Sequence, residues 1–155
     1  MQLRRLFAAG LGACWLFGAA PAVAQVVEAA PRATVFLEYN AAVAQHIYGG
    51  ADIFLMPSHF EPCGIGQMLA MHYGALPLVR ETGGLADTVE NYDNGLADQG
   101  TGFVFQWEDS DAVLGTLRWA VDTYRRKPQA WRRMQKRAME IDFGWDRSAR
   151  QYAEL

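Results

Sequence analysis

Four consecutive apolar residues, Ile53-Phe54-Leu55-Met56, followed at once by Pro57, restrict the possible folds of this chain more than any other feature. A run without polar alternation suits a strand covered on both faces, as in the middle of a parallel sheet. Pro57 cannot donate to a sheet ladder and Pro62 resists regular structure, so the segment between them must be a loop at the strand's carboxyl end. Open α/β sheets bind their ligands at that end.

The following residues extend the pattern. Ile65, Met68, Leu69 and His72 recur at the three-and-four spacing of one helix face, and Gly74 follows as a C-terminal cap. The predicted helix therefore starts at the loop, where unpaired backbone N–H groups and the positive end of the dipole suit a phosphate or a developing negative charge. Ala75-Leu76-Pro77-Leu78-Val79 reads as a second buried strand, with Pro77 favouring an edge position or a strand end. Thr82-Gly83-Gly84 ends that strand. Paired glycines let backbone approach a ligand closely, and the Thr82 hydroxyl adds a donor.

Three segments, Ala-Asp-Ile-Phe-Leu-Met-Pro-Ser at residues 51–58, Phe-Glu-Pro-Cys-Gly at 60–64 and Val-Arg-Glu-Thr-Gly-Gly-Leu-Ala-Asp-Thr-Val at 79–89, carry a family resemblance. Their order and spacing are far more specific than a lone glycine pattern. Together they resemble the C-terminal lobe of bacterial glycogen (starch) synthases of the ADP-glucose type, over residues 34–155. The resemblance implies an α/β fold, a Rossmann-like parallel sheet with flanking helices, forming one lobe of a two-lobe GT-B glycosyltransferase. The implied reaction moves glucose from ADP-glucose to the nonreducing end of an α-1,4-glucan with retained configuration, with no metal or redox cofactor.

Length and composition agree with one lobe. A chain of 155 residues buries a single substantial core. The family's active site lies between two lobes, so the missing N-terminal lobe is itself an implied partner, beside ADP-glucose and the α-glucan. A formal net charge of −3 gives no electrostatic reason to expect nucleic acid or an acidic membrane. Cys14 and Cys63 form neither a disulfide framework nor a zinc spacing.

Residues 1–24 have the anatomy of a secretory signal: Arg4 and Arg5, an apolar run from Leu6 to Ala20, then Ala22-Val23-Ala24. The alternatives are a non-native N-terminal segment and an apolar helix of a truncated lobe, and the run is too interrupted by Gly10, Gly12, Gly18 and Pro21 for a stable membrane anchor. Residues 25–155 are then a partial C-terminal lobe. The family implies a cytoplasmic location, while the signal-like start leaves export open, and with it a noncatalytic carbohydrate-binding or interaction module as a rival function; a lobe of a glycosyltransferase using another nucleotide sugar is the other.

In chain order, residues 26–30 read as a helix end broken by Pro31, and residues 34–39 as a strand of the parallel layer. Asn40 caps a helix over 41–48 that Gly49-Gly50 end. Asn94-Gly95, Gly100 and Gly102 mark a surface excursion and residues 103–105 a brief strand. Asp109 or Ser110 caps a helix with Val113, Leu117, Val121 and Tyr124 on one side. Pro128 closes it off, and a further helix follows with Trp131, Met134, Ala138 and Ile141 inward. Phe143-Gly144-Trp145 precedes a last helix, whose Trp145, Ala149 and Tyr152 are expected to face the other lobe.

By resemblance, Glu61 is the catalytic carboxylate, accepting hydrogen bonds from the donor glucose and stabilising positive charge at the reacting carbon. Capping of the following helix is its structural alternative. Cys63, Gly64, Ile65, Thr82, Gly83 and Gly84 form the implied donor site, with Cys63 a partly buried pocket wall. A thiol nucleophile at Cys63 is the weaker reading, because His59 and His72 are its only nearby bases and no third group orients either. Related retaining transferases carry a second glutamate eight positions after the first; Leu69 stands there, so ribose recognition has no residue. Arg80 has the choice of Glu81 or another carboxylate. The basic residues from Arg125 to Arg137 read as a solvated helix face. The family's glycine-rich Lys-x-Gly-Gly loop belongs to the first lobe, and its pyrophosphate-binding arginine and lysine lie upstream of anything recognisable here. No lysine precedes Lys127. Without those charges the isolated chain is expected to be inactive or nearly so.

Overall fold

The computed structural model describes residues 8–9, 26–30, 33–36, 40–96 and 99–154. Apart from Ala8–Ala9, the signal-like segment lies outside them, as do residues 37–39 of the expected strand.

Parallel strands form the centre. β1 (Ala8–Ala9), β4 (Ile53–Met56), β5 (Leu76–Arg80) and β6 (Phe103–Phe105) make one sheet in the order β1-β4-β5-β6. Registers run Ile53 to Leu76 through Met56 to Val79, then Leu78 to Phe103 through Arg80 to Phe105. Two helices make the crossovers, α2 (Gly66–His72) from β4 to β5 and α3 (Gly83–Thr88) from β5 towards β6. The expected Rossmann-like α/β layer is therefore present.

The other helices begin where short polar side chains or proline satisfy their ends. α1 (Ala41–Gly50) starts at Asn40, whose Oδ1 accepts from the Val43 amide at 3.1 Å; it runs through both glycines, two residues past the expected end. α4 (Ser110–Arg126) is capped by Asp109, not Ser110, through the Ala112 amide at 2.7 Å. α5 (Pro128–Glu140) has proline in its first turn, where no amide partner is needed. It packs against α2, α4 and β5 and buries Trp131, Met134 and Ala138. Phe103 joins sheet to helices, stacking on Trp131 at 5.9 Å and meeting Trp119 edge-on at 5.0 Å. α6 (Trp145–Ala153) carries exposed Trp145 and Tyr152. No helix among the described residues is long and apolar enough to cross a membrane.

Three expectations need correction. Val26–Ala30 is a strand, β2, and not a helix end; it pairs antiparallel with β3 (Ala33–Phe36) in a separate two-stranded sheet. β3 therefore stands outside the parallel layer. Its β-branched content fixes strand type but not the partner.

The inner face of α2 is Gln67, Ala70 and Met71, while Ile65 and His72 are exposed. The spacing was right and the phase wrong, because a buried glutamine conceals the inner face behind a polar letter. Of the two positions expected for Pro77, the structure selects the strand end: it is buried at the amino end of β5, an inner strand of the sheet. Leu76 donates its amide to Asp52 at 3.0 Å, towards β4, so alternation turns position 77 to the other side. There β6 pairs only from Leu78 onward, and no ladder bond is lost. Gly102 fills the space: a Cβ on it would come within 2.5 Å of the Pro77 carbonyl oxygen.

Candidate functional site

Both loops expected to carry chemistry leave the carboxyl ends of neighbouring strands, β4 and β5, and they touch. The Gly84 amide donates to the carbonyl oxygens of Glu61 at 3.1 Å and Pro62 at 3.2 Å. The contact is possible only without side chains. A Cβ on Gly83, which has φ of +45°, would overlap the Glu61 carbonyl, and one on Gly84 would overlap the Cys63 carbonyl.

Gln67 fastens the first loop from beneath. Wholly buried, its Nε2 donates to Cys63 O at 3.2 Å, Gly64 O at 3.0 Å and Thr88 Oγ1 at 3.1 Å. Thr88 in turn donates to Gly84 O at 2.6 Å, so one chain of hydrogen bonds ties α2, α3 and both turns. The sequence reading missed Gln67; the available signal was a lone amide in phase with Ala70, Met71 and Gly74.

Arg80 fastens the loop from the side. Its Nε donates to Ser58 O at 2.8 Å and its Nη2 to His59 O, while Nη1 lies 3.4 Å from Glu108 Oε2. His59 pairs with the same Glu108 through Nδ1. Of the two alternatives left open for Arg80, the structure selects the other carboxylate. The guanidinium, with only 16% of the side chain exposed, thus links the ends of β4, β5 and β6.

The expected site residues fall around this junction. Glu61 is half-buried, and its carboxylate caps nothing: α2 has Ile65 at its N-cap and no side-chain cap bond. The structural alternative for Glu61 is thereby removed. Thr82 occupies the N-cap of α3 without using its hydroxyl as a cap. Within the Thr82-Gly83-Gly84 turn, the Gly84 amide is spent on the neighbouring loop, which leaves the Gly83 amide and the Thr82 hydroxyl as the groups open to a ligand. Cys63 is a free, exposed thiol and not a partly buried wall. Glu108 does orient His59 through Nδ1, and His72 lies edge-on to Tyr73, but neither histidine makes a hydrogen bond to Cys63. Ile65, 65% exposed, presents an apolar surface at the same rim. Most of the basic residues are solvated as expected, with Arg126 on Asp122 at 2.8 Å and Lys136 near Glu140 at 3.7 Å, but Arg137 is not: it is half-buried and its Nε donates to Gly100 O at 3.0 Å.

Parallel strands whose ends hold two mutually braced turns define an α/β ligand-binding layer of Rossmann-like kind. The chain belongs to the family of glycosyl transferases group 1, whose family model matches residues 24–138. It is 56% identical over 124 residues to a glycogen synthase of Gloeobacter violaceus, a match covering 80% of this chain and 27% of that protein. It is 50% identical over 117 residues to a glycogen synthase of Desulforudis audaxviator, covering 76% and 23%. Among solved structures, the catalytic domain of starch synthase IV from Arabidopsis thaliana, bound to ADP and acarbose, matches with a TM-score of 0.70 at 41% identity, over 76% of this chain and 24% of that one. This chain spans about a quarter of the length of these relatives.

Proposed function

We propose that residues 25–155 form the donor-side part of the C-terminal lobe of an ADP-glucose-dependent α-1,4-glucan synthase. The observation that carries this reading is the backbone junction of Glu61 and Pro62 with Gly84, which brings the acidic loop and the glycine turn to one rim. The relatives add the substrate class: one is bound to ADP and acarbose, the others bear the name glycogen synthase.

In this reading the Glu61 carboxylate accepts hydrogen bonds from the glucose hydroxyls and offsets the positive charge that grows at the anomeric carbon. The Gly83 amide and Thr82 hydroxyl meet the donor's phosphate side, and Gly64, Ile65 and Cys63 border the sugar. Gln67 and Arg80 touch no substrate; they hold the loop that carries Glu61. The remaining phosphate-binding charge comes from a first lobe and from an upstream part of the second, so the 155-residue chain alone binds donor weakly and turns over little or none.

Calorimetric titration tests this. ADP-glucose is expected to bind more tightly than UDP-glucose, and Glu61→Gln to weaken ADP-glucose without altering thermal unfolding. Equal affinity for both nucleotides, or an unaffected Glu61→Gln variant, would overturn the assignment.

A further inference from the structure

A groove of about 450 Å³ lies on the β6 side of the rim, between the loop after β5, the loop after β6 and the first turns of α4. Trp107, 72% exposed, forms one wall. Glu81, Gln106, Asp111 and Thr116 also line it, and none of these four side chains has a hydrogen-bond or ion-pair partner among the described residues. Gly115 lies along it too, inside helix α4. A Cβ at Gly115 would meet nothing within 4 Å, so the fold itself does not require glycine there. A glycine in an exposed helix interior is destabilising relative to alanine, which leaves clearance for something outside the fold as its physical reason.

The chemistry of the lining selects the occupant. A sugar ring offers a flat C–H face to an indole and vicinal hydroxyls to carboxylates and amides. Two carboxylates, Glu81 and Asp111, with no basic side chain along the groove, disfavour a phosphate-bearing ligand. The nucleotide of the donor is therefore a poor occupant, and a neutral glucan a good one.

We propose that this groove seats a short stretch of α-glucan, holding the polymer beside the Glu61 rim but away from the reacting carbon. The inference rests on the glucan-synthase reading for the linkage of its ligand, not for the existence of the site. Trp107 stacks on one glucose unit, Asp111 and Glu81 accept from its hydroxyls, and Gly115 leaves room for the ring.

The test uses the full 155-residue chain with maltoheptaose, followed by tryptophan fluorescence and by retardation in glycogen-containing native gels. Trp107→Ala is expected to weaken maltoheptaose binding by about tenfold, and Asp111→Asn by about threefold. Gly115→Leu is expected to block the groove while unfolding at the same or a higher temperature, a result that a purely structural glycine would not give. Trp145→Ala, a second exposed tryptophan, should bind as the parent does. Undiminished binding by both Trp107→Ala and Gly115→Leu, no maltoheptaose binding at millimolar concentration, or displacement of maltoheptaose by ADP would each overturn the proposal. Loss of ADP-glucose binding with maltoheptaose still held at Trp107 would instead count against the donor assignment and in favour of this groove.

Discussion

The turns after β4 and β5 end neighbouring strands at the same rim, yet they are held in opposite ways. The turn after β4 is long and exposed and is secured by side chains reaching in from elsewhere, Gln67 from below and Arg80 from beside. The turn after β5 is short and is secured by having no side chains at Gly83 and Gly84, so that backbone meets backbone. One turn can be loosened by degrees; the other fits or does not. That difference orders the effects expected of substitution.

Gly84→Ala is expected to be the most damaging change, lowering stability by more than about 3 kcal/mol, because the new Cβ overlaps the Cys63 carbonyl and backbone must move. Urea unfolding measures it; a midpoint within error of the parent would break the contrast between the turns. Gln67→Leu should follow at about 2–3 kcal/mol, since it leaves the Cys63 and Gly64 carbonyls without their buried donor. The same titration checks it, and pairing Gln67→Leu with Thr88→Val in a double-mutant cycle should show clear non-additivity.

Arg80→Met sharpens the comparison from the side. A loss of about 1–2 kcal/mol is expected, with faster amide exchange confined to the loop after β4 while the turn after β5 stays protected. Equal acceleration in both turns would show them to be one mechanical unit. His59→Ala should be smallest, under about 0.5 kcal/mol in thermal melts, because its contact with Glu108 is open to solvent.

The same contrast governs what could be read in the sequence. Apolar runs and caps disclosed β4, β5, β6 and the helices α1, α2, α4, α5 and α6, but not the short α3, since burial and hydrogen-bond demand leave local marks at Ile53, Asn40 and Asp109. They did not disclose pairing. Residues 34–36 looked like a strand, but whether they join the main sheet or a separate ribbon depends on β2, whose Val-Val-Glu-Ala-Ala stretch has no decisive period. Pro77 left edge and strand end open because the ladder rule does not say where the neighbouring strand begins.

At the site, position was legible and tethering was not. The two motifs located the rim because glycine, proline and acid types cluster there. Gln67 escaped because a polar residue on a helix is ordinarily outside, and taking Met68 and Leu69 instead rotated the whole helix. Trp107 escaped because one exposed aromatic in a polar loop has no periodicity; only the open space above Gly115 gives it a context.

The hydrogen bond from Gly84 to the loop after β4 has one more effect. Since it is made during folding, the rim is already in its final shape before any ligand arrives, and little conformational freedom is surrendered on binding. Tightness of capture is then governed by how few amide hydrogens remain unclaimed, not by how far the loops can travel.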